Sequence, residues 1–274
     1  MTKAVYKNTI TGSDGRAVVL GWAEHRHLLL HLVASDLRSR YRRTAFGVLW
    51  AVLWPVAFSL IFSMVAVNVF DTPLSAYVAY VVTGFIIWDF IAGCINGGTV
   101  SFQQAEGYLR HKRLPLILFP LRTSCYYAVN FAFGSVASIL VIAAVSPHSF
   151  GWTWAWWPFS LAATFFFATP LVVISAIANL KLRDYAYGVS LIVFMLWYLS
   201  PVLIAREVYD KGALKKFTDL NPFASLIDIY RDIMLNGRHP EMHDVILVLG
   251  GGAVLWALAL LWLRSEGRRL IYYL

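Results

Sequence analysis

Arg38-Ser-Arg-Tyr-Arg-Arg43 leads, through Thr44 and Ala45, into Phe46-Gly-Val-Leu-Trp-Ala-Val-Leu-Trp-Pro-Val-Ala-Phe-Ser-Leu-Ile-Phe-Ser-Met-Val-Ala-Val-Asn-Val-Phe70, which is 25 residues without a charge. About 20 apolar residues suffice for a helix to cross the hydrocarbon core of a bilayer. A backbone in lipid must satisfy its own hydrogen bonds, which makes that segment a helix. Lys and Arg concentrate on the cytoplasmic side of such spans, so the amino terminus is expected inside.

Composition carries the same reading across the whole chain. It is 59% hydrophobic, 16% aromatic and 14% charged, with mean hydropathy +0.64. Soluble domains carry about 25% charged residues. Apolar stretches at 46–70, 75–99, 122–146, 153–178, 186–205 and 244–263 predict an all-α membrane protein of six transmembrane helices, organised as one unit over 1–274. An even number of crossings returns the carboxyl terminus to the cytoplasm. The charges agree: sixteen Lys and Arg fall on the proposed inner side. The outer 206–243 segment holds six, balanced by Glu207, Asp210, Asp219, Asp228, Asp232 and Glu241. Topology thus accounts for the net charge of +8, and nucleic acid is not expected as a partner. Residues 1–24 have no short apolar core before a cleavage site, so the first span is expected to do the targeting.

Three shorter elements flank the spans. In 25–43, Leu29, Leu32, Val33, Leu37 and Tyr41 form an apolar face with Arg38 and Arg42 among the polar positions, predicting an interfacial helix. The inner stretch 100–113 is polar and long enough for two or three helical turns before Pro115; it is either a connecting loop or a docking knob for a soluble partner. In the outer 206–243 segment, apolar residues at 223, 226, 227, 230, 233 and 234 share a helical face, and Asp228, Arg231 and Asp232 fall on another. That pattern fits a helix dipping into the outer leaflet or across a pore mouth, and equally one lying on the surface.

Enzymatic chemistry finds little support. No phosphate-cradling G-x-x-x-x-G-K-[ST] loop is present, and no metal is expected from the scattered histidines. Cys94 and Cys125 sit in apolar segments and read as small packing residues. Gly93 and Gly97 mark a helix contact. Asp89 is the one charge between Leu74 and Gln104. A carboxylate at that depth costs about 2.5–3.5 kcal/mol on insertion scales, so it either lines a watery passage or pairs with Arg122. Tyr187, Phe194 and Tyr198 share a narrow helical face. Phe46, Trp50, Trp54, Phe58 and Phe62 repeat every four residues and drift about 160° around theirs. Such rings either pack against lipid and helices or form a path on which the apolar faces of sugar rings slide.

Four segments, in this order and spacing, give the chain a resemblance. They are Asp36 to Trp50 with Pro55; Gly84-Phe-Ile-Ile-Trp88; Lys112-Arg-Leu-Pro115; and Asn221-Pro222 through Tyr230-Arg-Asp232, with Arg183-Asp184 also fitting. The chain resembles the membrane subunit of bacterial ABC-2 type polysaccharide exporters. The resemblance implies a non-catalytic permease of the inner membrane, working with a second copy of itself and two copies of a separate ATPase. ATP and Mg would sit on that partner, leaving no cofactor in this chain. It further implies a gate or interface helix at 25–43, a six-span bundle over 46–263 and short re-entrant periplasmic helices within 206–243. A coupling helix in the 100–113 loop would be formed by Glu106, Gly107, Tyr108, Leu109, Arg110, His111 and Lys112. The cargo implied is a lipid-linked polysaccharide, foremost an undecaprenyl-diphosphate-linked O-antigen, with capsule, teichoic acid, or a small lipid or drug as alternatives. A membrane glycosyl or acyl transferase fits least, for want of converging acids and histidines. Arg38, Arg40, Arg42 and Arg43 either anchor the chain on the inner side or meet the lipid pyrophosphate, which guanidinium groups bind in a two-point fork. Trp50, Trp54, Phe58, Asp89, Tyr187, Phe194 and Tyr198 are the glycan-path candidates.

Overall fold

The computed structural model describes residues 25–42, 44–70, 73–111, 114–209, 212–266 and 270. Arg43 and Lys112 lie outside the described residues, as do the side chains of Arg110 and His111. The described chain forms helices and no strand. They are α1 (Arg26–Tyr41), α2 (Trp50–Phe70), α3 (Leu74–Thr99), α4 (Glu106–His111), α5 (Leu118–Val145), α6 (Trp157–Lys181), α7 (Tyr185–Leu199), α8 (Arg206–Tyr209), α9 (Gly212–Asp219), α10 (Pro222–Met234) and α11 (Met242–Glu266). Short 3-10 turns at Gly47–Leu49, Pro147–Ser149 and Trp152–Trp156 lead into or join them.

Among the described residues, five segments are long and apolar enough to cross a membrane: Gly47–Asn68, Leu74–Thr99, Leu118–Val145, Trp152–Lys181 and Met242–Glu266. They match five of the six expected spans. The expected span 186–205 departs from the pattern. α7 has 15 residues, about 22 Å of helix, against a hydrocarbon core of about 30 Å. The cause is Pro201. Proline lacks an N–H and disfavours helical geometry in the residue before it, and Ser200 is extended with ψ 148°.

α3 is the central helix. It packs against α2, α5, α6, α7 and α10, and most of its side chains are buried. Ile86, Ile87, Phe90, Ile91 and Cys94 join Phe131 of α5, Phe167 and Val172 of α6, and Leu226 and Tyr230 of α10 in one apolar core. A second cluster joins Phe102, Ala105, Leu109, Ile117 and Phe119 to Ala176 and Ile177 near the end of α6 and to Ala259 and Leu263 near the end of α11. Lys181 and Glu266, 2.6 Å apart, tie those last two ends together. α1 reaches the same end of the bundle, where Leu29 and Val33 pack on Leu118 of α5. The opposite end holds the start of α3, the 200–205 turn, α10 and the start of α11, where Ser225 donates to Asp244 at 2.7 Å.

α10 is where the helical pattern holds and its polar face goes somewhere unforeseen. Asn221 caps the helix by accepting from the Phe223 N–H at 3.0 Å. Arg231 and Asp232, on the polar face, are nevertheless buried. The helix lies among α3, α6 and α11 rather than on a surface, and its charges are met from within. Arg238 and Asn236 donate to Asp232 at 2.7 and 2.8 Å, and Arg206 pairs with Asp219 and Asp228.

Candidate functional site

Beyond its exposed first turn, α3 keeps one open strip on an otherwise largely buried surface. Asp89, Ala92, Gly93, Asn96 and Val100 follow steps of three and four and share about 100° of the helix circumference. Its residues Asp89, Ala92, Gly93 and Asn96 floor a cavity of 540 Å³ walled by Trp50, Trp54 and Pro55 of α2, Tyr127, Asn130 and Phe131 of α5, and Arg40 of α1. A second cavity of 420 Å³ shares Arg40 and Tyr127 and continues along α3 past Gly97 and Val100 to Asp36, Gln104 and Arg122. The two make a polar track along α3, starting at the end of the bundle that holds α1.

Glycine makes the track wide enough for Tyr127. A Cβ on Gly93 would stand 2.5 Å from the Tyr127 ring, and one on Gly97 would also collide with it. The Gly93–Gly97 pair is therefore a cradle for one aromatic side chain of α5. Asn96 Oδ1 accepts a hydrogen bond from Ser190 of α7 at 2.9 Å, which brings α7 alongside the strip. On α7, Tyr187, Phe194 and Tyr198 lie within about 80° of Ser190. All three are exposed on α7 and none lines either cavity; Phe194 packs edge-to-face on Tyr198, with ring centroids 5.3 Å apart.

α1 is fastened along this track by a polar zipper. Arg122 donates from Nε and Nη2 to both carboxylate oxygens of Asp36, at 2.6 and 2.5 Å. Arg40 donates to the Tyr126 hydroxyl at 2.6 Å, and the Tyr41 hydroxyl donates to Asn130 Oδ1 at 2.5 Å. Residues 122, 126 and 130 repeat every four and form one row on α5, and their partners on α1 are Asp36, Arg40 and Tyr41. Asp89 is thereby separated from Arg122, whose partner is Asp36; it stands in the cavity that Arg40 also lines.

The candidates named from the sequence now divide. Trp50, Trp54 and Asp89 share the first cavity. Phe58 does not: it stacks on Phe85 at 4.4 Å and belongs to a packing cluster with Phe62 and Tyr77. The four-residue drift turns it from the cavity towards α3's far end. Among the described candidate arginines, Arg40 lines both cavities and Arg38 and Arg42 line neither; all three are exposed. Of the 106–112 segment, Leu109 is buried in the second apolar cluster, and Gly107 and Tyr108 are exposed. Tyr126, Tyr127, Asn96 and Asn130 were not singled out from sequence. Their signal is visible in hindsight: polar side chains recurring every four residues inside an apolar span.

The sequence pattern of the family described as "ABC-2 type transporter" matches residues 27–235, about three quarters of the chain. The chain belongs to that family. This makes it a membrane-embedded transport permease rather than an enzyme. It is also similar to two proteins described as "O-antigen export system permease protein RfbA". The one from Myxococcus xanthus is 25% identical over 236 residues, covering 85% of this chain and 90% of that protein. The one from Klebsiella pneumoniae is 26% identical over 229 residues, covering 82% and 86%. The matched region of the ABC-2 permease contains α1 from His27 onward through α10, and so the whole track.

The zipper gives a direct stability expectation. Asp36→Asn leaves Arg122 half-satisfied in a partly exposed setting. Losing one partner of a buried pair costs about 3–5 kcal/mol, and exposure reduces this to about 1–2 kcal/mol. Unfolding of the purified permease in detergent should begin about 3–6 °C lower. Pairing Asp36→Asn with Arg122→Gln should recover most of that loss; no recovery would mean that the two side chains act independently.

Proposed function

We propose that this chain is the membrane subunit of an ATP-driven exporter of a lipid-linked polysaccharide of the O-antigen class. It acts in the bacterial inner membrane with both termini cytoplasmic, as a pair of copies bound to two ATPase subunits that hold ATP and Mg. The observation that carries this is the track on α3, where a guanidinium at the mouth leads to a carboxylate, two amides and two tryptophans. Arg40 offers a lipid pyrophosphate a two-point contact. Beyond it, Asp89, Asn96 and Asn130 exchange hydrogen bonds with sugar hydroxyls, and Trp50 and Trp54 take the apolar faces of pyranose rings. Tyr187, Phe194 and Tyr198 continue the aromatic path along α7. Weak stacking contacts of this kind hold a polymer without arresting it. The relatives named as O-antigen export permeases support this cargo over a small lipid or drug.

Force would enter through the 106–112 segment. Leu109 roots α4 in the cluster formed with the ends of α6 and α11, so displacement of the exposed Gly107–Tyr108 surface is passed to several helices together. Movement at this end loosens the α1 zipper and opens the track. Replacing 106–112 with a Gly/Ser linker that retains Leu109 should abolish co-purification of the ATPase while the permease still reaches the membrane. Undiminished co-purification would remove these residues from the coupling role.

A further inference from the structure

We propose that Arg231 is a positioning residue that staples the turn ending α7 and so fixes the far half of the passage. α7 stops inside the bundle, and its last carbonyls and those of the following turn have no helical partners. Non-helical backbone at membrane depth survives only where protein satisfies it. Here three residues from outside the turn do so for four consecutive carbonyls. Arg231 Nη1 donates to Pro201 O at 2.5 Å and its Nη2 to Val202 O at 3.0 Å. The Tyr77 hydroxyl donates to Leu203 O at 2.7 Å, and the Tyr80 hydroxyl to Ile204 O at 3.0 Å. Arg231 also donates to Tyr80 O at 3.0 Å, and its guanidinium lies 3.4 Å from the Tyr80 ring centroid. The side chain is buried, and among the described residues it forms no ion pair with a carboxylate.

A cation placed there without a counter-ion is costly. A neutral side chain would fill the space more cheaply but could not bridge two carbonyls of the turn and one of α3. The planar fork of arginine can, and the single ammonium point of lysine cannot reach all three. Tyr209 reinforces the same turn, donating to Tyr198 O at 2.8 Å and Ser200 O at 3.3 Å. Arg231 thus locks the α7 end to α3 and α10. With its upper end fixed, the aromatic face of α7 keeps its setting beside the track. That last consequence rests on the proposed export path; the staple itself does not.

The test uses the full-length permease in nanodiscs, with thiol labelling by a small maleimide read by peptide mass at a chosen position. Val202→Cys, buried in the turn, should label slowly. Adding Arg231→Lys should raise its rate by about tenfold or more, while a buried control, Ala176→Cys, stays slow in both backgrounds. Tyr80→Phe, which removes one hydroxyl donor and keeps the ring, should raise it by about threefold, and serves where Arg231→Lys does not accumulate. Unchanged labelling at 202 overturns the staple. Equal increases at 202 and 176 also overturn it, since they report general loosening. In cells, Arg231→Lys at normal membrane level should lower polysaccharide export by about fivefold or more. Faster labelling with normal export would sever the staple from transport while leaving the staple intact.

Discussion

Exchange of Gly84 for valine is expected to leave little folded permease in the membrane. A Cβ at Gly84 would stand 2.5 Å from Arg231 Nη2 and 2.6 Å from Val202 O. The first neighbour is a side chain already holding carbonyls of the turn, and the second is backbone. Neither can retreat without breaking a buried hydrogen bond. Overpacking of a tight core costs about 1–3 kcal/mol, and each buried polar group left without a partner about as much again. Their total, about 3–5 kcal/mol, is a large fraction of the about 5–15 kcal/mol that holds a typical domain folded. The chain should fall to about one tenth of its normal membrane level or melt well below the wild type. Alanine should give the same defect in milder form. Normal accumulation and melting of the valine variant would mean that α3 and the turn are not in contact as described.

Gly84 also shows what could and could not be read in advance. The five long spans were legible because length and absence of charge are sufficient for them. The end of α7 was written at Pro201, but the apolar run continues past it, and hydropathy outweighed the proline. α10 was legible as a helix from its period. The destination of Arg231 was not, because its partners are backbone carbonyls, which every residue possesses and no side-chain pattern marks. Asp36 and Arg122 are 86 residues apart, and no local spacing joins them. Asp89 was legible as a group that needs a cavity or a partner, and choosing between these required knowing that Arg122 was taken. The tryptophan row was half legible: its drift forecast that the rings would part company, with Trp50 and Trp54 on the track and Phe58 in the packing.

With cargo moving along the open strip of α3, a single bulky residue there should stop it. Ala92 lies on that strip, one helical turn from Asp89, within the cavity of 540 Å³. A tryptophan indole at this position would occupy much of the space between Trp54, Asp89 and Asn130. It adds apolar volume to an open space, so folding and ATPase association should persist. Leu258, exposed on α11 away from the track, provides a substitution of the same size as a control. The decisive measurement is surface polysaccharide in cells whose only permease is the Ala92→Trp chain, compared at equal membrane level with Leu258→Trp. Export should fall by about a hundredfold for Ala92→Trp and stay near wild type for Leu258→Trp, with the ATPase co-purifying in both. Wild-type export through Ala92→Trp would mean that the cargo travels by another route and not along α3.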